Sequence, residues 1–284
     1  MGLLRWLAGP LVRRGTSVPE CTLSLERLKP TSGRQRLVRA AAVWAAAAGV
    51  CAFLDLGGFC DFEQYFYSLR AEVYAQIKPR PLDAIVLVSI SDKTLEALSA
   101  PYPLPRDYHA RVIRDLTRAG AKVIAFDLLF QQPHPQEDEA LAEAARQSGR
   151  VVWACQFVED SRQGRRLIGP NERLLKASPN LGHVNVPLDP VISRLQPVIE
   201  DNGRPVPAFS LETVMMERGW EKQPIRWVAG GLQVGGLSIP VDRDAGTFNI
   251  SYAWDPKQDI LREVPYETFY RGEVSDSDFR NKIV

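Results

Sequence analysis

Cysteine is scarce in this chain, and its few cysteines are not arranged to act together. Four stand in 284 residues. Cys21, Cys51, Cys60 and Cys155 form no CxxC pair and no Cys/His ligand spacing, which argues against structural zinc. A bond between Cys60 and Cys155 is allowed in an oxidising compartment, but nothing in the sequence supports it. The three histidines, His109, His134 and His183, are too scattered to propose a metal site. Also missing are a GxSxG nucleophile elbow, a P-loop and an HExxH motif. Gly230-Gly231 and Gly235-Gly236 precede no helix, so they do not read as a phosphate cradle. These absences remove the usual parts of catalysis. The chain reads as non-enzymatic, with no catalytic residue, no metal ligand and no cofactor.

Acidic residues are nearly missing from the first 39 positions. Eight Lys/Arg, namely Arg5, Arg13, Arg14, Arg27, Lys29, Arg34, Arg36 and Arg39, face only Glu20 and Glu26 there, although the whole chain carries a net charge of only +1. A basic arm of this kind suits nucleic acid or the cytoplasmic side of a membrane. The apolar run that follows at once favours the membrane, and no nucleic-acid partner is expected. From Ala40 to Leu54 the residues are alanine-rich and uncharged, and the run continues past Asp55 to Cys60. A span needs about 20 mostly apolar residues. Residues 40–60 are therefore expected to form a transmembrane signal-anchor, residues 1–39 a cytoplasmic tail, and residues 61–284 a domain outside. A cleaved signal peptide is the rival reading; the leader is long for one, and the run exceeds a usual h-region.

Beyond the span, Phe62, Tyr65, Phe66, Leu69, Val73 and Ile77 recur at three- and four-residue spacing, which predicts an amphipathic helix stopped by Lys78-Pro-Arg-Pro81. Ala84 to Ile90 reads as a strand buried on both faces. Helices are predicted at 106–119, ended by Gly120, and at 137–148, ended by Gly149. Strands are predicted at 122–126 and 150–157. The order β-α-β-α-β points to an α/β fold with a mostly parallel or mixed sheet flanked by helices. Further on, 181–186, 195–199, 237–241 and 248–252 read as strands and 208–218 as a helix. The two glycine pairs around Leu232–Val234 suggest a hairpin, and 264–270 a short helix. There is no internal repeat and no low-complexity linker, so one outer domain is expected. Ile283-Val284 looks like the beginning of a strand, which suggests a sequence cut within its domain.

Ligands of open parallel sheets bind beyond the carboxyl ends of the strands. Asp92 and Asp127 follow the first two strands, and Arg106 and His109 open the intervening helix on the same edge. These four are the candidate ligand-binding residues. The competing structural reading has Asp92 capping the helical turn after it, Asp127 accepting hydrogen bonds from turn amides, and Arg106 neutralising one of the two. Asp92 and Asp127 could also form a carboxylate pair for a divalent ion, which would make the chain a membrane-anchored periplasmic enzyme. A structural or interaction module is the other alternative.

The ordered set of short motifs resembles the CHASE type 2 domain, a sensory extracellular domain associated with cyclases and histidine kinases. The set comprises the strand ending at Asp92, Tyr102-Pro-Leu-Pro-Arg106, the helix with His109, Ala119-Gly-Ala, Phe126-Asp-Leu-Leu-Phe130, Glu137-Asp138, Gly182-His-Val-Asn-Val, Arg194-Leu-Gln-Pro-Val, Pro207-Ala-Phe-Ser-Leu, Gly235-Gly-Leu-Ser-Ile-Pro-Val-Asp242 and Phe279-Arg-Asn-Lys-Ile-Val284. The chain departs from the pattern at Tyr102 and Leu104, where tryptophans are frequent, and at Ser91-Asp92, where two acids are frequent. The resemblance covers roughly residues 60–284. It implies a bacterial inner-membrane receptor with its main domain periplasmic or extracellular. That receptor would read a small-molecule or protein signal, and its output module, a cyclase, a kinase or similar, would lie outside this sequence. The resemblance leaves room for a homodimer.

Overall fold

The computed structural model describes residues 33–56, 66, 69, 70, 73, 82–160, 164–187, 192–242, 245–250 and 261–284. The chain divides into two units, Met1–Phe59 and Cys60–Val284.

The first unit contains helix α1, Gly33–Leu56. Its Leu37, Val43, Trp44 and Val50 are exposed. Among the described residues, no helix is long and apolar enough to cross a membrane. The span expected at 40–60 is therefore not supported. The helix starts earlier, at Gly33, and so carries Arg34, Arg36 and Arg39 on its opening turns. Its body is mostly alanine, whose methyl group offers little apolar surface. Of the amphipathic helix expected after the span, Phe66, Leu69, Arg70 and Val73 are helical, and the rest lies outside the described residues.

The second unit is a mixed α/β domain, as the pattern predicts. Its first half runs β1 (Val86–Ser89), α2 (Asp92–Leu98), α3 (Arg106–Ala119), β2 (Ile124–Phe126), α4 (Pro135–Ser148), β3 (Val151–Asp160), β4 (Gly164–Ile168), α5 (Glu172–Ala177) and β5 (Leu181–His183). β2 and β5 both pair parallel to β3, and β4 runs antiparallel along its far half. Strand β3 is buried along its first five residues because it is central. The second half continues with β6 (Arg194–Leu195), β7 (Val198–Asp201), β8 (Arg204–Pro207), α6 (Phe209–Arg218), β9 (Arg226–Val228), β10 (Gly231–Val234), β11 (Leu237–Pro240), β12 (Phe248–Asn249), β13 (Arg262–Pro265), α7 (Thr268–Arg271) and α8 (Asp276–Phe279).

The two ends of the domain meet in one sheet. β13 pairs parallel to β1. Ile283 then bridges Ile85 on one side and Val123 on the other, both in parallel. The strand order thus runs β13, β1, Ile283, β2, β3, β5. Residues 282–284 do pair within the sheet, as their apolar, β-branched character suggests.

Two expectations need correction. Residues 264–270 are not one helix: the end of β13 and the corner at Tyr266 precede the short α7. Residues 195–199 are not one strand but the end of β6 and the start of β7. Pro197 separates them, and it has no N–H for a ladder. The β7–β8 hairpin turns at Asn202 and Gly203, both at positive φ. An Asn-Gly pair between strands favours that turn, a local signal the sequence carries at 202–203. The hairpin of β10 and β11 forms around Gly235-Gly236 as expected. Of the strand predicted at 248–252, Phe248 and Asn249 form β12, and residues 251–252 lie outside the described residues.

α3 shows why the core sits where it does. Val112, Ile113, Leu116 and Ala119 recur at helical spacing and are buried, and Gly120 closes the helix at φ 82 because an L side chain resists that conformation. They pack with Ile124, Leu141, Trp153, Phe269 and Phe279 in one cluster.

Candidate functional site

A cleft of about 760 Å³ opens beyond the carboxyl ends of β1 and β2. Its wall on one side is the Pro101–Pro105 turn, where the Tyr102–Pro103 peptide is cis. Residues 127–132 form the opposite wall, and His134, Glu137 and Val184 complete it. This is where a parallel sheet offers a crevice, because the loops leaving adjacent strands diverge there. The volume suits a small molecule.

Arg106, His109 and Asp127 all line this cleft, whereas Asp92 does not. Asp92 is exposed in the first turn of α2. It does not cap that helix either. Ser91 is the N-cap residue, and its N–H donates to the Thr94 hydroxyl at 3.1 Å. Thr94 in turn donates to Glu267 at 2.7 Å. The four-residue cluster is therefore three residues, and the carboxylate pair of Asp92 and Asp127 does not meet in the cleft.

Arg106 is buried, and its partner is neither Asp92 nor Asp127. Its guanidinium pairs with buried Asp138 and also donates to the Gln132 carbonyl. Burial lowers its pKa, and the Glu137 carboxylate opposes that. Glu137 also accepts the Arg106 backbone N–H at 3.0 Å, satisfying a free donor of the first turn of α3. Asp138 does more than balance charge. Its other oxygen accepts the His134 N–H at 2.8 Å and the Asn171 side-chain amide at 3.0 Å. Asn171 caps α5 by accepting from the Arg173 and Leu174 amides, and its own N–H donates to Phe130 O at 3.0 Å. One buried carboxylate thus fixes Arg106, the start of α4 and the start of α5.

His109 is 2% exposed. Its Nδ1 lies 2.8 Å from the Tyr266 hydroxyl, and its ring stands edge-on to Phe126 and Phe130. Burial, and then the positive charge of Arg106, push its pKa down to about 4, so the ring is neutral near pH 7. Burial drives the Tyr266 phenol well above its ordinary pKa, so that hydroxyl keeps its proton. Asp127 stands exposed at the rim.

In the sequence Glu137-Asp138 reads only as an acidic pair, and Tyr266 reads as part of a helix. The other buried titratable groups lie away from the cleft lining. Burial raises the Cys155 thiol to about 12 and lowers His183 to about 4, against the Gln196 backbone. Among the described residues, no group of three or more His, Cys, Asp or Glu could hold a metal ion.

The CHASE2 domain model matches residues 43–284. The chain belongs to the CHASE2 domain family, whose members are sensory domains found outside the cytoplasm. No curated protein and no solved structure matches it.

Proposed function

We propose that this chain is the input domain of a transmembrane receptor and that it reads a small molecule held in the cleft beyond β1 and β2. The observation that carries this reading is the cleft itself. It combines a buried, neutral His109, an apolar wall and an exposed carboxylate at one sheet edge. The family supports a sensory role. In this reading the basic leader lies on the cytoplasmic side, and the alanine-rich 40–60 segment holds the domain at the inner membrane. The exposed apolar side chains of α1 favour burial against lipid or another helix. The output is a cyclase, a kinase or a comparable signalling module. An enzyme built on Asp92 and Asp127 has less behind it, because only one of the two lines the cleft.

The test is a thermal-shift screen of small metabolites against the wild-type chain and Leu129→Trp. Leu129 lines the cleft and is 44% exposed, so the larger side chain fills space without disturbing the core. Ligands that raise the melting temperature of the wild type and not of the variant support the reading. If every stabilising compound acts equally on both, the cleft is not the input site. Proteolysis of intact spheroplasts tests the topology, and cleavage within residues 82–284 from outside is the expected result.

A further inference from the structure

We propose that the cleft selects a small amphipathic organic cation: an apolar or aromatic body bearing one ammonium group and one hydrogen-bond acceptor oxygen. This rests on the cleft being a ligand site, as proposed above, and goes further by naming the chemistry it takes.

The charge selection follows from bookkeeping of ionised groups around the cleft. Asp127 and Glu137 line it, and Asp138 lies directly behind Arg106. Against these three carboxylates stands one guanidinium, which is already committed to Asp138 and the Gln132 carbonyl. Two negative charges remain in excess, and Asp127 sits exposed where a ligand can meet it. His109 is neutral near pH 7 and does not offset them. His134 stands exposed at the rim beside Glu137. An anionic ligand would face net repulsion, and a cation net attraction.

The acceptor oxygen follows from the tautomer of His109. Its hydrogen bond with Tyr266 could run either way by geometry alone. Tyr266 is 3% exposed, and the hydroxyl's hydrogen bond is with Nδ1. A buried O–H left without an acceptor is costly. Tyr266 therefore donates to Nδ1, and the neutral ring carries its proton on Nε2. Among the described residues no group pairs with Nε2, and the ring lines the cleft. The site thus presents a nearly buried N–H donor with nothing of its own to bind. A hydroxyl, ether or carbonyl oxygen of the ligand completes it.

The apolar body follows from the walls. Leu104, Leu128, Leu129, Phe130 and Val184 line the cleft, and Tyr102 stands 72% exposed at its edge. An exposed tyrosine face attracts cations as well as apolar groups.

Three probes of one shape test the proposal. They are 2-amino-1-phenylethanol (a cation), 1-phenylethanol (neutral) and mandelate (an anion). Each has a phenyl body and a hydroxyl oxygen. Isothermal titration at pH 8 on the whole chain is expected to rank them cation, neutral, anion. Two rim carboxylates, each worth what an exposed ion pair contributes, give roughly a tenfold difference between the extremes. Asp127→Asn, a substitution at an exposed residue, should narrow that difference a few-fold. Removing the hydroxyl, as in phenethylamine, should weaken binding to the wild type and make no difference in His109→Phe. Leu129→Trp should abolish all binding. Equal affinity for cation and anion, or tighter binding of mandelate, overturns the charge assignment while a Leu129-sensitive signal keeps the cleft as a ligand site. If no probe binds although the broader screen yields Leu129-sensitive ligands, this proposal fails alone. If no Leu129-sensitive ligand of any kind exists, both readings fail together.

Discussion

The phenol of Tyr266 reaches Nδ1 of His109 at 2.8 Å across 157 positions of sequence. The bond ties the corner after β13 to the buried face of α3, directly under the cleft. Tyr266→Phe leaves the imidazole without its donor in an apolar setting. The expected cost is about 1–3 kcal/mol in urea unfolding. Nitrogen-15 chemical shifts of His109 in the wild type should place the proton on Nε2. A proton on Nδ1 would show that Tyr266 accepts, and the donor argument for the cleft would be lost.

Stability should depend on pH with two opposed slopes. The His109 pKa is near 4 in the native state, against about 6.5 in an unfolded chain. Between these values the unfolded chain binds a proton that the native chain does not. Stability is then full above about pH 6.5 and falls as pH drops toward 4. His183 acts in the same window and direction. Glu212 acts the other way. Burial, and then the negative charge of Glu221, raise it to about 7, so stability falls as pH rises from about 4.5 to 7. Glu212→Gln should stabilise the chain by up to about 3 kcal/mol at pH 8 and by almost nothing at pH 4.5. His109→Gln should flatten the acid limb. Unfolding curves of both variants from pH 4 to 8 check the signs, and an unchanged acid limb in the histidine variant would contradict the first.

Arg106 and Asp138 form a buried pair whose loss on one side strands a charge. Arg106→Met or Asp138→Leu alone should each cost about 3–5 kcal/mol. Asp138 also holds the His134 N–H and the Asn171 amide, so its variant should loosen the starts of α4 and α5 together. Hydrogen exchange of the first amides of both helices is the readout. If Arg106→Met and Asp138→Leu together are no less destabilising than the sum of the singles, the pair is not coupled as described.

Much of this fold is legible in the sequence. α3 was predicted with both of its ends correct because three signals agree there: the apolar spacing, the proline turn before it, and Gly120 after it. Strand β3 was legible because a buried parallel strand is an unbroken apolar run. Polar partners were harder. Arg106 looked like a site residue, yet its charge is spent on Asp138, and no local pattern distinguishes Asp138 from Asp92 or Asp127 as the acid it would meet. Tyr266 was misplaced because Val264 to Tyr270 has helical spacing, while the chain spends its first residues pairing with β1. That pairing joins positions far apart in sequence, and local periodicity does not register it.

Gly182 should tolerate no side chain. A Cβ there would lie 2.4 Å from the Cα of Phe209 and 2.9 Å from its N. β5 and the start of α6 approach this closely because His183 also bridges Ala208 in parallel. The obstacle is backbone, not the flexible end of a side chain. Gly182→Ala should therefore cost about 3 kcal/mol or more, at the upper end of overpacking. Gly149→Asn is the contrast: it opens into free space at φ 63, where asparagine is tolerated, and it should lose only a small part of that. Melting temperatures of the two variants give the comparison, and equal losses would mean that the close approach relaxes.

Ile283 should behave as the member that holds the sheet together. Its N–H donates to Ala84 O at 2.8 Å, and its carbonyl accepts from the Val86 N–H at 2.8 Å. On the other side Val284 donates to Val123 O at 3.0 Å and accepts from the Ala125 N–H at 2.7 Å, while Lys282 O accepts from the Lys122 N–H at 2.7 Å. These three residues are the element that lies between β1 and β2, so their bonds join the β13–β1 pair to the β2–β3–β5 group. Ile283→Pro removes one donor and forces the backbone away from the extended pairing. It should cost about 3 kcal/mol or more and expose the facing edges of β1 and β2, which then become sites of association between chains. Ile283→Val keeps every backbone bond and trims one methylene, so about 0.5–1.5 kcal/mol is expected. Size-exclusion profiles and melting curves of both variants separate the two effects. A proline variant that melts with the wild type and stays monodisperse would show that β1 and β2 hold their positions without this bridge.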